Sequence, residues 1–167
     1  MENADYQKLF IGGDLSGIQS FLYNISSKKA AVSLKGRSFY LLQYMKNVCD
    51  SIKRTVEQAG AKNVDVIYCS GGKFYMLADN SESIRRSVDE TATQLRQALW
   101  KEHLGQLGLN IAYVSFTENA DGTVCTDGAT KRTSLSSLPS NNRYNLVRNC
   151  AISNTSKLLK SMPVILI

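Results

Sequence analysis

The sequence has few of the side chains on which metal and disulfide chemistry depend. It contains one histidine, His103, and none of its four cysteines forms a Cys-x-x-Cys pair. A zinc site is therefore not expected, and the sequence predicts no metal site within this chain. The cysteines are expected to be reduced thiols that pack as small hydrophobic side chains: Cys49, Cys69, Cys125 and Cys150.

Long apolar runs are also lacking. No stretch stays apolar over the roughly 18 residues that a membrane-spanning helix needs, and the N-terminus lacks the basic and apolar segments of a secretory signal. We therefore predict no membrane partner and a cytoplasmic location. A length of 167 residues with 43% hydrophobic content suits one domain with a proper core, and leaves room for an appendage.

Acidic residues are scarce in the C-terminal part of the chain. Residues 131–167 contain six Lys or Arg and no acid, whereas residues 1–118 carry 14 basic and 12 acidic residues. A basic, Ser- and Asn-rich segment fits either contact with RNA phosphates or a solvated appendage, and both interpretations stay open. The sequence therefore predicts a folded domain over residues 1–118 and a basic tail over residues 119–167.

The order of patterns predicts an α+β fold. A strand over residues 6–14 precedes two helices, then a hairpin, a third helix and a last strand over residues 109–116. This order is the split βαβ pattern of a ferredoxin-like domain, in which helices cover one face of a four-stranded antiparallel sheet. We expect Phe10, Tyr68 and Leu99 in its core.

The long second helix is predicted over residues 37–59, after a basic, loosely patterned link over residues 26–36. Gly60 is predicted to end it, and Asn80 or Ser81 to cap the third helix. The buried stripe of the second helix is predicted to run along one face through Phe39, Leu42, Met45, Cys49, Ile52 and Val56.

Two motifs place residues suited to phosphates near helix starts. In "GGDLSGIQ" a strand ends at Asp14 and a helix begins at Ser16 and Gly17. Backbone N–H groups there suit a phosphate, and a strand-end carboxylate suits Mg²⁺ beside it. The plainer interpretation is a helix start capped by Ser16, with Asp14 as a turn acceptor. In "SLKGRSFYL" the basic Lys35 and Arg37 precede the long helix, where phosphate contact and a solvated loop are the alternatives.

A third motif, "YCSGGKFYML", predicts a tight hairpin turn at Gly71 and Gly72. In a ferredoxin-like fold this turn lies beside the end of the first strand. Asp14 and the stretch from Ser70 to Lys73 are therefore expected to be neighbours at one edge of the sheet.

In this order and at these spacings, "GDLSGIQSFLY", "LKGRSFYLL" and "YCSGGKFYML" resemble the first palm domain of the large subunit of type III CRISPR effector complexes, in particular of the Csm type. The resemblance covers roughly residues 6–118 and implies a fold shared with nucleotide cyclases and GGDEF domains. It also implies a second palm with a metal-binding Gly-Gly-Asp-Asp hairpin that converts ATP to cyclic oligoadenylates. Further implied partners are the other effector subunits and, indirectly, guide and target RNA.

The sequence departs from that family pattern at the positions that carry catalysis. Lys73 and Phe74 follow the glycines in place of two acids, and neither an HD motif nor a second palm is present. The resemblance therefore implies an ATP-binding palm that completes the synthase pocket in antiviral defence, with Mg²⁺ supplied largely by the second palm. No catalytic residue is assigned, and the isolated chain is expected to be inactive.

The nucleotide-binding residues expected from the three motifs and the resemblance are Asp14, Ser16, Gly17, Arg37, Ser38, Ser70, Gly71, Gly72 and Lys73. The alternative function is a non-catalytic scaffold that binds RNA or protein within the ribonucleoprotein complex. In that case the basic link before the long helix and the basic tail carry the function.

Overall fold

A computed structural model describes residues 7–25, 30–118, 123–126 and 129–134, and their side chains as far as residue 117. Six strands and three helices lie in these residues. In chain order they are β1 (Lys8–Ser16), α1 (Ile18–Tyr23), α2 (Ala30–Gln58), β2 (Asp65–Ser70), β3 (Lys73–Asp79), α3 (Glu82–His103), β4 (Gly108–Glu118), β5 (Thr123–Thr126) and β6 (Ala129–Ser134).

The chain divides into two compact units. In the unit Ile11–Ile111 the strand order is β2-β3-β1-β4, which is the order of a ferredoxin-like sheet. Strands β2 and β3 pair antiparallel. Strand β1 runs antiparallel to β3, because Leu15 lies opposite Gly72 while Gly12 lies beside Tyr75. The predicted α+β fold with a four-stranded antiparallel sheet is confirmed.

The other unit comprises Met1–Phe10 and Ala112–Ile167. In it β4 pairs antiparallel with β5, and β5 with β6. These two strands lie within the stretch expected to be a tail. Thr126 pairs with Ala129 across the Asp-Gly turn signal at residues 127–128. Of the predicted tail over residues 119–167, residues 119–122, 127–128 and 135–167 lie outside the described residues.

The Gly-Gly pair forms the predicted hairpin. Ser70 and Lys73 are cross-strand partners, so the connection between them is two residues long. Gly71 and Gly72 both have positive φ, 58° and 80°, as a type I′ turn requires. An added Cβ at Gly72 would lie 2.4 Å from Cδ1 of Ile18, so packing against α1 also excludes a side chain there.

Helix α2 differs from its prediction in length and in rotation. It begins at Ala30, so much of the predicted link is helical. Phe39 is 61% exposed and Leu42 is 44% exposed, so their predicted burial is wrong. Leu41 is buried instead. It lies four residues before Met45, so the two side chains share the buried face of the helix.

Two of the predicted helix boundaries are confirmed, the start of α3 and the end of α2. The Ser81 side chain accepts a hydrogen bond from the Ile84 backbone N–H at 3.2 Å, as an N-cap does. Gly60 follows α2 with a positive φ of 104°. Residues Phe10 and Leu99 are buried as expected, whereas Tyr68 is 43% exposed and its predicted place in the core is wrong.

The core of the unit Ile11–Ile111 lies between the sheet and its helices. Strand β3 contributes every second residue to it, with Phe74 and Met76 fully buried. Opposite Phe74 stands Gly13, where an added Cβ would lie 2.0 Å from the phenyl ring. The aromatic ring therefore fills the space of the absent side chain. Other fully buried members are Ile11, Met45, Ile52, Val56 and Val88.

Candidate functional site at the hairpin turn

The end of β1 and the hairpin turn meet at one edge of the sheet. The Leu15 N–H donates a hydrogen bond to the Gly72 carbonyl at 2.8 Å. The Lys73 Nζ lies 3.7 Å from the Asp14 Oδ1. The structure thus brings the first and third sequence motifs together, with Ser70 and Gly71 exposed beside them at the turn.

The Asp14–Lys73 ion pair is solvent-accessible, with side-chain exposures of 51% and 49% respectively. Surface pairs of this kind contribute about 0–1 kcal/mol, because water screens both charges. Lys73 can therefore exchange the carboxylate for a phosphate oxygen at little cost. A lysine supplies a compact point charge with three donors, which suits that contact.

The donor set fits a phosphate and does not by itself fit a metal ion. Among the described residues, no group of three or more His, Cys, Asp or Glu side chains is arranged to hold one. Asp14 is a single carboxylate and it already faces an ammonium group. Mg²⁺ prefers several oxygen ligands in octahedral geometry, so this half of a site would need ligands from elsewhere.

Ser16 and Gly17 have structural partners in the segment from Gln106 to Gly108, which leads into β4. Ser16 is the last residue of β1, and its hydroxyl donates to the Gly108 carbonyl at 3.2 Å. The prediction that Ser16 caps α1 is therefore wrong, since Gly17 is the N-cap residue. Gly17 has φ 82°, and an added Cβ would lie 2.2 Å from the Gln106 carbonyl oxygen. This close approach is sufficient reason for a glycine here.

Arg37 lies about two turns inside α2, so its predicted position at the helix start is wrong. Its Nη1 donates hydrogen bonds to the carbonyls of Phe21 and Asn24, the latter at 2.9 Å. The guanidinium also lies 5.2 Å from the centroid of the Phe21 ring. Arg37 thus satisfies carbonyls at the C-terminal end of α1. Ser38 is exposed on the following position of α2.

A polar cluster between α2 and α3 was not singled out from the sequence. The Tyr40 hydroxyl donates to the Glu102 carboxylate at 2.9 Å and lies 2.6 Å from the His103 Nε2. Burial is the main cause that raises the pKa of Tyr40 well above its usual range, and the hydrogen bond to Glu102 is the second cause. The His103 ring also packs edge-on against Phe21. His103 is therefore a packed residue at the C-terminal end of α3.

None of the helices in the described residues is long and apolar enough to cross a membrane.

Known proteins resemble this chain along most of its length. The profile of the family described as Csm1 subunit domain B matches residues 7–144. A Cas10/Csm1 protein of Enterococcus italicus, named as a single-strand-specific deoxyribonuclease of a subtype III-A CRISPR system, is 34% identical over 119 residues. This alignment covers 69% of the chain and 15% of the relative. A relative in Mycobacterium tuberculosis with the same name is 39% identical over 77 residues, covering 46% of this chain and 9% of that protein.

Solved structures show the same fold at lower identity. The crystal structure of Csm1 in T. onnurineus matches with a TM-score of 0.65 at 24% identity, and covers 95% of this chain and 20% of that chain. A Csm1–Csm4 cassette in complex with AMPPNP matches with a TM-score of 0.59 at 22% identity, covering 90% and 18%. The chain thus spans a small part of each relative. With the family profile matched over most of its residues, the chain belongs to the Csm1 subunit domain B family, and its relatives are Cas10/Csm1 proteins of type III-A CRISPR systems.

Proposed function

We propose that this domain is the nucleotide-binding, catalytically incomplete palm half of a type III CRISPR effector large subunit. It would bind ATP and complete a cyclic oligoadenylate synthase pocket in antiviral defence. The observation that carries the proposal is the meeting of Asp14 and Lys73, 3.7 Å apart, where the end of β1 touches the hairpin turn. A solvent-accessible lysine charge at a glycine turn is suited to the phosphates of a nucleotide.

The same residues argue against catalysis by this half alone. Two-metal phosphoryl transfer needs several carboxylates around the metal ions. Here Asp14 is the acid at the turn, while the two positions after the glycines hold Lys73 and the fully buried Phe74. In the proposal Mg²⁺ accompanies ATP and is bound mainly by the second palm. Lys73 and the turn hold phosphate oxygens.

The relatives support a nucleotide and a multi-subunit setting. Csm1–Csm4 cassettes with this fold are known in complex with AMPPNP, with pppApA and with cA4. By analogy we propose the second palm and the other effector subunits as partners, with guide and target RNA reached indirectly, in the cytoplasm. We also propose that residues 1–118 are the palm and residues 119–167 an appendage to it.

A scaffold function is the second candidate, because α2 exposes apolar side chains. Val32 is 72% exposed and Phe39 is 61% exposed on this helix, with Leu42 less so. These exposed side chains of α2 suit contact with another protein. A scaffold that uses them has no need of Lys73.

ATP titration of the 167-residue chain, followed by NMR chemical shifts, separates the two functions. The parent should bind ATP weakly through residues of the turn. Lys73→Ala should lower the affinity by about tenfold or more, because a charged hydrogen bond contributes roughly 1.5–3 kcal/mol. Lys101→Ala, which removes an exposed lysine from α3, is the matched control and should bind like the parent.

Equal binding by the parent and Lys73→Ala, or no binding by the parent, would reject the nucleotide function and favour the scaffold. The chain with ATP and Mg²⁺ should also yield no cyclic oligoadenylate. Metal-dependent product from the pure chain would show that its catalytic apparatus is complete.

A further inference from the structure

The alternation of side chains along the hairpin separates two faces. Cys69 and Phe74 are cross-strand partners that face α2, since the Cys69 Sγ lies 3.8 Å from the Met45 carbonyl. Their neighbours on the strands, among them Lys73 and Tyr75, must project from the opposite face of the sheet. That face is the one on which the Asp14–Lys73 pair lies.

Two tyrosines form a pair on this opposite face. Tyr68 of β2 and Tyr75 of β3 are cross-strand partners, and their ring centroids are 6.1 Å apart with 34° between the ring planes. Tyr68 is 43% exposed. The Tyr75 ring lies against Gly12 of β1, where an added Cβ would approach two ring atoms at 3.2 and 3.3 Å. The Tyr75 ring thus packs against the glycine backbone, whereas the Tyr68 ring is accessible to solvent.

The tyrosine pair adjoins the phosphate-binding turn. Tyr75 is two residues from Lys73 on the same strand and the same face, a separation of about 7 Å between Cα atoms. The Tyr68 hydroxyl lies 3.7 Å from the position that a Cβ of Gly71 would take. An aromatic surface and a cationic group therefore lie side by side, about as far apart as the base and the phosphates of one nucleotide.

We propose that Tyr68 and Tyr75 form the surface on which the base of the bound nucleotide stacks. The proposal rests on the proposed function and adds the residues that receive the base. When a phosphate of the nucleotide binds Lys73, the base, which is one ribose away, can contact the two rings. Every base has a π-face, so stacking is strong but tolerant of base identity. The pair should therefore accept any nucleotide base, and discrimination between bases must come from other groups.

An unpaired base could also belong to a single-stranded oligonucleotide, and three probes distinguish the sources. ATP carries base and phosphates, inorganic tripolyphosphate carries no base, and a hexa-adenylate RNA without 5′-phosphate presents bases in a strand. Each is titrated by NMR into the parent chain and into Tyr68→Leu, Tyr75→Leu and Tyr75→Phe variants. Tyr23→Leu is the matched control, because Tyr23 is 70% exposed on α1.

For ATP we expect each Leu variant to lose between about fivefold and 100-fold in affinity, the usual cost of removing one base-stacking ring. Tyr75→Phe should keep the parent affinity, since its ring remains, and so should Tyr23→Leu. Tripolyphosphate binding should be equal in all variants within about twofold. This last result shows that the hairpin turn keeps its structure in the Leu variants.

Three outcomes overturn the proposal. If the Leu variants bind ATP like the parent while Lys73→Ala does not, the nucleotide site stands but its base lies elsewhere. If the Leu variants lose tripolyphosphate as strongly as ATP, the tyrosines maintain the turn rather than contact a base. If they lose only hexa-adenylate, the tyrosines serve a strand and not the nucleotide at the turn.

Discussion

The two faces of β3 meet different surroundings within the unit Ile11–Ile111. On the helix-covered face, Phe74 and Met76 are fully buried. On the open face, Lys73 and Tyr75 alternate with them and remain partly accessible to solvent. One strand thus supplies both the core and the candidate site. Substitutions one residue apart should therefore separate stability from ligand binding.

The largest effect should come from the covered face. Phe74→Ala should lower the free energy of unfolding by about 3–5 kcal/mol, because it removes a buried ring and leaves a cavity against Gly13. Tyr75→Ala should cost clearly less, since its ring is only partly buried. Urea denaturation of both variants measures the two values. Equal losses would show that the open face is also part of the core.

A moderate effect is expected at the far end of β3. The Asp79 carboxylate accepts backbone hydrogen bonds from Lys62 at 2.8 Å and Asn63 at 3.2 Å. These bonds, that from Lys62 foremost, lower the pKa of Asp79 below its ordinary value of 3.8. A lowered pKa stabilises the fold above the unfolded-state pKa, and this contribution is lost as the pH falls through the folded-state pKa.

Asp79→Asn should therefore lower the free energy of unfolding by about 1 kcal/mol at pH 7. The difference from the parent should shrink as the pH falls below 3.8. Urea denaturation at a series of pH values tests this, with the exposed Asp50→Asn of α2 as control. A difference that stays constant down to pH 2 would mean that the carboxylate charge is not responsible.

The smallest effect should be on the outer side of α2. Phe39→Ser should change the free energy of unfolding by no more than about 0.5 kcal/mol, because the side chain is 61% exposed. The nearby Leu41→Ala should cost several times more, since Leu41 is 6% exposed. Thermal unfolding of both variants is the measurement. A large loss for Phe39→Ser would place that residue in a packed interface.

Local chemistry made much of the fold predictable from the sequence. The Gly71–Gly72 turn and the Ser81 cap depend on neighbours only a few residues away, so their patterns identify them directly. Rotation of α2 depends on the sheet, however. Leu41 and Leu42 are adjacent leucines, and periodicity alone cannot decide which of them is buried.

The candidate site was predictable only where topology joins its parts. The ferredoxin-like strand order places Asp14 beside Lys73, so that neighbourhood followed from the element order. Arg37 has partners in α1 that no sequence pattern indicates. Tyr68 and Tyr75 carried a usable signal, since Tyr75 shares a face with Lys73 by alternation. The two-residue turn makes Ser70 the partner of Lys73, so counting outward along both strands predicts that Tyr68 pairs with Tyr75.

The contact between Gly13 and Phe74 constrains the order in which these positions can change during evolution. A larger residue at position 13 clashes with the phenyl ring at 2.0 Å as long as that ring is present. Shrinking Phe74 first opens a cavity that a side chain at position 13 could then fill. A smaller residue at position 74 is thus a precondition for a side chain at position 13. Homologous domains with a side chain at the position of Gly13 should therefore have a residue smaller than phenylalanine at the position of Phe74.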